Sequence, residues 1–445
     1  MKAAGGIFQR AMAAAASLTG KRFGLLVASS LVATSAIVAA AATDSADSGP
    51  LAALLGRSLA ASRTPVAPAP SIAPEPVLGG SGPEPSPPAA SAAPLSSPAS
   101  PPAPEPAPAP EPEETPTAPA APAPETGPVK HVFVISLASS GYEASFGSAP
   151  QMPYLATELR PQGLLLSHYS LLDSAALPNS IAAVSGQPPN AQTKADCPTY
   201  SEFPPGSKAN GRGVVAGEGC VYPVETLTLA DQLVGAQLKW HAYMEDMADE
   251  TGKPAACVHP EPEATETAVT GGYSSRLNPF PHFHSLLDLG DCSENDVPFT
   301  ELEKDLKKVE TTANLSYVSP DLCNAGVSGQ CPEGVPDGAA AADAFLATLV
   351  PKILASPAYK KDGLLVVSFG QADPLADPAP ADPLEVGALL VSHLVSPGST
   401  DAVAYDPYSL LRSTEDLFGL YHLANAGGTK VKSFAPALLG ASGGD

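Results

Sequence analysis

Carboxylates and imidazoles are the side chains of this chain that could hold a divalent cation, because such ions prefer oxygen and imidazole ligands. His131 and His168 lie near candidate acids at the ends of predicted strands, and those acids are Glu143, Asp173, Asp373 and Asp406. The alternative for Asp173 and Asp406 is that they cap turns or helices, as aspartate commonly does. Prolines at 374, 378 and 380 favour a solvated loop around Asp373.

Two further pairs have spacings that could serve a site. His282 and His284 flank Phe283, so a strand would place both imidazoles on one face. The alternative is a surface aromatic loop. Glu245 and Asp246 resemble paired acids for acid–base work. They follow a predicted strand, however, and the simpler prediction is that they bond backbone groups at its end.

All six cysteines fall in the second part of the chain, and their even number predicts disulfides in an oxidising compartment. Six cysteines allow 15 pairings. We favour sequential pairing because each bridge then closes a local loop: Cys197–Cys220, Cys257–Cys292 and Cys323–Cys331. There is no Cys-x-x-Cys motif, which argues against zinc-ribbon and thioredoxin-type chemistry.

Alternating strand and helix patterns must position these residues. Short apolar runs predict strands at 131–137, 238–244, 314–319 and 363–369. Helical patterns lie between or after them, at 227–237, 339–353 and 410–420. This alternation predicts an α/β fold with a mostly parallel central sheet.

The N-terminal part has a different composition. Residues 1–22 end in a basic pair, and residues 23–42 are uncharged and long enough for a transmembrane anchor or a signal peptide. Residues 43–127 are rich in Pro, Ala and Glu and predict a disordered, semi-rigid spacer. Residues 128–445 form the predicted globular domain. We therefore expect an exported domain that is membrane-anchored or secreted.

The globular domain is strongly acidic. It carries 17 Lys and Arg residues against 37 Asp and Glu residues, a net charge of −20. This charge argues against binding to nucleic acid and leaves the N-terminal segment as the membrane contact.

Several scaffold motifs occur in series from about Val129 to Ala437: Leu177-Pro178-Asn179, Trp240 to Met247, Asn278-Pro279-Phe280, Ser319 to Asn324, and Tyr408 to Leu420. Together they resemble the bacterial phosphoesterase family of acid phosphatases and phospholipases C. The resemblance implies an alkaline-phosphatase-like α/β/α sandwich. It also implies attack of a serine or threonine hydroxyl on phosphorus at a metal centre.

The polar site positions of that family are altered in this chain. The family's Leu-Glu-Asn after the first strand corresponds to Leu137-Ala138-Ser139 in this chain. In the family's nucleophile motif, His-Pro-Ser-Leu-Pro-Asn, Ala176 replaces the nucleophilic serine and Ser174 replaces the histidine. Four further motifs lose their ligand or acid–base residues at these positions: Leu277; Ala325, Val327 and Ser328; Gly370 and Gln371; and Pro407.

Two functions follow from this pattern. The first is a catalytically inactive, phosphoesterase-like binding or scaffold module without a cofactor, whose partner is an envelope ligand or an active homologue. The second is an active phosphate-ester hydrolase in which the four nearby acids rebuild a site for a divalent metal. A methyl group at position 176 cannot attack phosphorus, so the second function needs another nucleophile or direct attack by water.

Overall fold

The computed structural model describes residues 128–265, 271–377, 379–382 and 384–439. The predicted N-terminal segment and spacer lie outside the described residues. None of the helices that the model describes is both long and apolar enough to cross a membrane.

In the part of the chain that the structure describes, eight strands form one sheet in the order β4-β3-β5-β1-β6-β7-β2-β8. They are β1 (His131–Ser139), β2 (Leu164–Tyr169), β3 (Trp240–Met244), β4 (Asp296–Pro298), β5 (Leu315–Ser319), β6 (Gly363–Ala372), β7 (Ala388–Val391) and β8 (Ser399–Tyr405). Strand β7 pairs antiparallel with both of its neighbours, and every other pairing is parallel. The predicted α/β fold with a mostly parallel sheet is therefore confirmed.

Within the described residues, ten α-helices connect and cover the strands. They are α1 (Tyr142–Phe146), α2 (Ala176–Ser185), α3 (Ala191–Lys194), α4 (Leu229–Gly235), α5 (His284–Leu287), α6 (Asp291–Asn295), α7 (Leu302–Asp305), α8 (Ala339–Ala355), α9 (Pro357–Asp362) and α10 (Pro407–Phe418). A π-helical segment spans Tyr154–Leu159, and short 3₁₀ turns include Ser275–Leu277 and Phe280–His282.

The central strands are apolar because they are buried on both faces. Along β5 every residue is buried, and along β1 and β6 only Ser136 and Gly370 are partly exposed. Helices α8 and α9 pack against β1, and α2 packs against β6. Since β1, β3, β5 and β6 are parallel, their carboxyl ends meet at one edge of the sheet. The ends of these strands and the segments that follow them carry most of the altered positions.

The three sequential disulfides are formed, with Cα–Cα distances of 5.9 Å, 5.4 Å and 4.6 Å along the chain. Each bridge closes a local loop, as predicted. The bridge between Cys323 and Cys331 closes the loop that contains Ala325, Val327 and Ser328.

Candidate active site

An apolar cluster fills the place where β1 ends. It consists of Ala138, Leu322, Ala325 and Val327, and Leu277 packs against it. The four core members are between 1% and 4% exposed. Four of the five side chains, all except Leu322, stand at positions that the sequence comparison aligned with a metal ligand or an acid–base group of the family. The structure therefore brings these altered positions together, as an active site would require. Their side chains, however, pack against one another as a hydrophobic cluster.

Backbone bonds hold the members of the cluster in register. The N–H of Ala138 donates to the carbonyl of Ala325 at 2.7 Å, and the N–H of Ala325 donates to the carbonyl of Asp321 at 2.7 Å. Gly326 has φ +93°, and a Cβ on it would lie 2.9 Å from the Cβ of Ala342. A side chain is strained there, so the glycine lets the loop turn tightly against α8.

The donor chemistry of the cluster does not fit a divalent metal. Metals of this class require carboxylate, imidazole or carbonyl donors, and alkyl side chains provide none. A cation at this point would also lose hydration without replacement. Among the described residues, one group of three donor side chains is close enough to hold an ion, namely Cys257, Cys292 and Asp296. Two of these are joined in a disulfide and cannot act as thiolates.

The start of α2 carries Ala176, which is 2% exposed and which the sequence comparison aligned with the nucleophile of the family. A carboxylate oxygen of Asp196 accepts the N–H of Leu177 at 2.8 Å, and the carboxylate also interacts with the N–H of Ala176. Burial raises the pKa of Asp196, while these N–H groups and the positive charge of Arg276 oppose that rise. The side chain of Asp196 thus occupies the donors at this helix N-terminus, which favour an anion.

Asn179 fixes the segment before α2. Its Oδ1 accepts the N–H of Leu172 at 2.8 Å, and its Nδ2 donates to the carbonyls of Asp173, Ala175 and Gly370 at 2.7 to 3.0 Å. Its backbone lies in the first turn of α2. One side chain therefore links the start of α2 to the end of β6.

A bulge at Gly370 shapes the end of β6. Leu137 pairs with Phe369, but the next residue, Ala138, pairs with Gln371. A Cβ on Gly370 would lie 2.6 Å from the Oγ of Ser136, so a carboxylate here would require Ser136 to move. Bulges commonly redirect side chains next to active sites, and in this chain the bulge directs Gln371 toward a cavity of about 10 Å³ beside Ala176.

Ser139, Ser328 and Asp373 form a polar network beside the cluster. Asp373 accepts the Oγ–H of Ser328 at 2.6 Å and the N–H of Leu375 at 3.1 Å, and its own N–H donates to the carbonyl of Ser139 at 2.7 Å. The loop that follows Asp373 is largely exposed, as the prolines predicted, but Asp373 itself stands at its start and is only 4% exposed. Its carboxylate satisfies nearby donors and so replaces water.

The remaining candidates do not join this edge as ligands. Asp406 caps α10 by accepting the N–H of Ser409 at 2.9 Å, and Pro407 is the first residue of that helix. Asp173 accepts the N–H of Ala175 at 3.1 Å. These two aspartates are caps, as the alternative prediction held. Ser174 is exposed and contributes its carbonyl to the N–H of Ala372, and Glu143 is exposed in α1.

The carboxylate of Glu245 is bound in place beyond β3. It accepts the N–H of Asp321 at 3.2 Å and the amide of Asn324 at 3.0 Å. Burial raises the pKa of both Glu245 and Asp321, and the adjacent Asp246 raises them further. Glu245 thus bonds the backbone at a strand end, as the simpler prediction held. Asp246 and Asp321 line a separate cavity of about 480 Å³.

The two histidines at 282 and 284 share neither a strand nor a surface loop. His282 is 1% exposed, its Nδ1 lies 3.1 Å from the carbonyl of Cys220, and burial lowers its pKa to about 4. His284 begins α5 and pairs with Glu202 and Asp288. The prediction of two imidazoles on one face of a strand is therefore wrong. The alternative prediction, a surface aromatic loop, is also wrong, because Phe283 is fully buried.

The sequence reasoning missed Arg276 and Asp196, which lie close to Ala176 in the fold. Both stand next to residues that it singled out, Leu277 and Cys197. Their contribution arises from contacts between distant segments, and no local pattern marks them.

Comparison with known proteins gives one family match. The model of the Phosphoesterase family matches residues 149–421, which is more than half of the chain and includes every altered position except 138 and 139. No curated protein matches the chain.

Solved structures with a similar fold include three bacterial proteins. A protein in the alkaline phosphatase superfamily from Vibrio parahaemolyticus has 14% identity and a TM-score of 0.40, over 70% of this chain and 73% of that one. The PsFucS1 sulfatase from Pseudoalteromonas sp. has 10% identity and a TM-score of 0.39, over 66% and 68%. The lipoteichoic acid synthase LtaP from Listeria monocytogenes has 11% identity and a TM-score of 0.37, over 68% and 76%.

Proposed function

Since this chain belongs to the phosphoesterase family, we propose that it is a member that has lost hydrolysis and acts by binding a ligand or a partner. The observation that carries the proposal is the apolar cluster of Ala138, Leu322, Ala325 and Val327 with Leu277. A phosphoryl-transfer centre stabilises developing negative charge with cations and hydrogen-bond donors. Alkyl side chains supply neither.

The start of α2 supports the same conclusion. Ala176 has no hydroxyl, and Ser180, one turn later, donates its Oγ–H to the carbonyl of Leu177 at 3.1 Å. A serine becomes a nucleophile when a base removes its proton, and in the described part of the chain no histidine or carboxylate bonds to Ser180. The carboxylate of Asp196 also opposes the approach of a second anion to this helix end.

A site rebuilt from other acids has less support. Asp173, Asp373 and Asp406 each accept backbone N–H groups close to them in the chain. Glu143 is exposed. A metal site would require these carboxylates to leave their caps and converge, and the free energy of each cap opposes that movement.

We place this function outside the cytoplasm. The three disulfides are typical of an oxidising compartment. In this proposal the N-terminal segment exports or anchors the domain, the proline-rich spacer holds it away from the membrane, and the partner is an envelope ligand or an active member of the same family.

Hydrolysis of p-nitrophenyl phosphate by the full chain tests the proposal. The assay contains Mg²⁺, Mn²⁺, Ca²⁺ or Zn²⁺, with and without a chelator, and the metal content of the purified protein is measured in parallel. We expect no turnover above the rate without protein and no stoichiometric divalent ion.

The variant Ala176→Ser sharpens the test. It restores a hydroxyl at the start of α2 without restoring any metal ligand, so we expect it to be as inactive as the parent. Turnover that disappears on chelation, in either protein, would show that a metal centre exists and would overturn the proposal. The variant Ser180→Ala then identifies whether the hydroxyl of Ser180 is responsible.

A further inference from the structure

The disulfide between Cys257 and Cys292 has a buried acid beside it. Cys257 is half-buried, whereas Cys292 is only 1% exposed. The side chain of Asp296 is fully buried, and its Oδ2 lies 3.9 Å from the Sγ of Cys292. A carboxylate oxygen of Asp296 and both sulfur atoms lie within 4.8 Å of one another. One cysteine of the bridge is therefore partly open to solvent, and the other adjoins a carboxyl group.

The carboxyl group of Asp296 is not fully used by the fold. Its Oδ2 accepts an N–H of the Asn278 amide at 2.7 Å, and its Oδ1 is buried without a hydrogen-bond partner among the described residues. Burial raises the pKa of Asp296 to about 7, so this group still carries its proton in weakly acidic solution. A buried acid with a free oxygen, next to a sulfur atom, is suited to donate a proton.

Thiol–disulfide exchange includes a step that needs such a donor. A thiolate that attacks the sulfur of Cys257 breaks the S–S bond and leaves the electron pair on the sulfur of Cys292. Because Cys292 is buried, little water is present to stabilise the charge of this thiolate. Transfer of the proton from Asp296 to that sulfur removes the charge. The carboxylate that is formed keeps the bond from Asn278 and regains a proton from solvent.

The backbone keeps the two cysteines together after the bond breaks. The N–H of Cys257 donates to the backbone carbonyl of Asp296 at 2.9 Å. Cys292 belongs to α6, and α6 ends at the residue before Asp296, the first residue of β4. Both cysteines are thus held at the start of β4, and the bridge can form again without a large movement of the chain.

The other two bridges do not combine these features. Both cysteines of the Cys197–Cys220 bridge are buried, at 7% and 0% exposed. In the Cys323–Cys331 bridge Cys331 is half-buried, as Cys257 is. Among the described residues, however, no carboxylate lies within 4.8 Å of both sulfurs of either bridge.

We propose that the Cys257–Cys292 bridge is a redox-active disulfide that accepts two electrons from a dithiol, with Asp296 as the proton donor to Cys292. The first thiolate of the dithiol forms a mixed disulfide with Cys257 and releases Cys292 as a thiol. The second thiolate attacks the dithiol's own sulfur in that mixed disulfide and releases Cys257, which takes a proton from solvent. The products are one oxidised dithiol and two protein thiols. This activity goes beyond the proposed function and does not depend on it.

Reduction of the oxidised full chain by dithiothreitol tests the inference. The reaction is run under native conditions at several pH values from about 5 to about 8.5, the range below the pKa of an ordinary thiol. Free thiols are alkylated at each time point and located by peptide mass spectrometry. Without a proton donor, the rate follows the thiolate concentration and rises about tenfold per pH unit. We expect this constant slope at the Cys323–Cys331 bridge.

At the Cys257–Cys292 bridge the slope should change near pH 7. Above this pH the protonated fraction of Asp296 falls about tenfold per unit while the thiolate concentration rises by the same factor, so the rate levels off. In Asp296→Asn the slope should be constant. The rate of this variant at about pH 6 should be lower by on the order of a hundredfold, the lower end of the range for general acid catalysis.

Other titratable groups lie around this bridge. His259 is two residues beyond its first cysteine, and Asp291 and Glu294 share α6 with its second. The hydroxyl of Tyr273 accepts an N–H of the Asn278 amide at 3.0 Å. Since imidazole is the side chain that ordinarily titrates near neutral pH, His259→Gln is the matched control. It should keep the change of slope near pH 7.

Equal pH profiles of the Cys257–Cys292 bridge in the parent and in Asp296→Asn would overturn the inference. Reduction of this bridge no faster than that of the buried Cys197–Cys220 bridge would also overturn it, because both would then open only on unfolding. If Asp296→Asn does not fold, the change of slope in the parent and its persistence in His259→Gln decide the result. The test for p-nitrophenyl phosphate turnover is separate, so failure of this inference leaves the proposed function unaffected.

Discussion

Substitution of Asp296 should remove a large pH dependence from the stability of the domain. Asp296 lies in β4 and is fully buried. Its Oδ2 accepts an N–H of the Asn278 amide at 2.7 Å, while its Oδ1 has no hydrogen-bond partner among the described residues. Burial raises the pKa of this carboxyl to about 7, and the single bond from Asn278 only partly opposes the rise.

The sign follows from proton binding in the two states. Between about pH 4 and pH 7 the folded protein keeps the proton on Asp296 and the unfolded chain has lost it. The free energy of unfolding therefore falls as the pH rises through this range. A shift of about three pH units corresponds to about 4 kcal/mol at 1.36 kcal/mol per unit. Glu415, whose pKa is raised to about 9 by burial, adds a slope of the same sign.

The variant Asp296→Asn isolates this contribution, because asparagine keeps an oxygen for Asn278 and does not ionise. Urea unfolding at several pH values from 4 to 8 can be followed by the fluorescence of Trp240, the single tryptophan, which is buried and stacked on Phe280. We expect the stability of the variant relative to the parent to increase by about 4 kcal/mol between pH 4 and pH 7.

The matched control is Asp382→Asn, an exposed carboxylate whose Oδ1 accepts the N–H of Leu384 at 2.9 Å. Its stability should follow the parent at every pH. If the Asp296→Asn and parent curves run parallel from pH 4 to pH 7, the raised pKa of Asp296 is refuted.

Three further substitutions test the architecture of the altered site. Asn179→Ala removes the bonds that link α2 to the end of β6 and should lower the free energy of unfolding by about 3 kcal/mol in urea unfolding; an unchanged midpoint would contradict this link. Ala325→Asp places a carboxylate in the apolar cluster and should destabilise the domain by about 3 kcal/mol at neutral pH and less at pH 4. Stabilisation of this variant by millimolar Mg²⁺ or Zn²⁺ in thermal unfolding would show that the site still coordinates a metal. Replacement of Cys323 and Cys331 by serine opens a loop of eight residues and should cost about 2.5 kcal/mol by loss of loop constraint, and equal stability of the variant and the oxidised parent would argue against a stabilising role for this bridge.

The sequence predicts four neighbouring strands, β3, β5, β1 and β6, and misses the other four, of which β7 and β2 lie inside the sheet and β4 and β8 at its edges. The predicted strand at 314–319 matches β5 to within one residue, because both of its faces are buried and its residues form a continuous apolar run. Strand β8 was not predicted, since it lies at the edge and its polar and small residues are mostly exposed. Strand β4 has three residues, too few for a periodic signal.

The ends of helices can be predicted where local sequence signals mark them, whereas burial that depends on distant segments cannot. The predicted helix at 410–420 is observed as α10, Pro407–Phe418. Its true start is a capping aspartate followed by proline at the first helical position, and its end is Gly419 in the left-handed conformation. Both are local signals. The burial of His282 could not be predicted this way, because it depends on contact with Cys220, 62 residues away in the sequence.

The altered positions were found by comparison with the family motif, but their mutual contact could be established only in three dimensions. Ala138 is the second-last residue of β1, Leu277 ends a 3₁₀ turn, and Ala325 and Val327 belong to a loop closed by a disulfide. A single alkyl side chain among carboxylates and imidazoles would stabilise the fold little, because its polar neighbours would keep water and a cation next to it. Once several of these positions are alkyl, they exclude water from one another and each stabilises the others. A return to metal binding would therefore require several simultaneous substitutions, since one carboxylate placed among the remaining alkyl groups lacks both a cation and solvent.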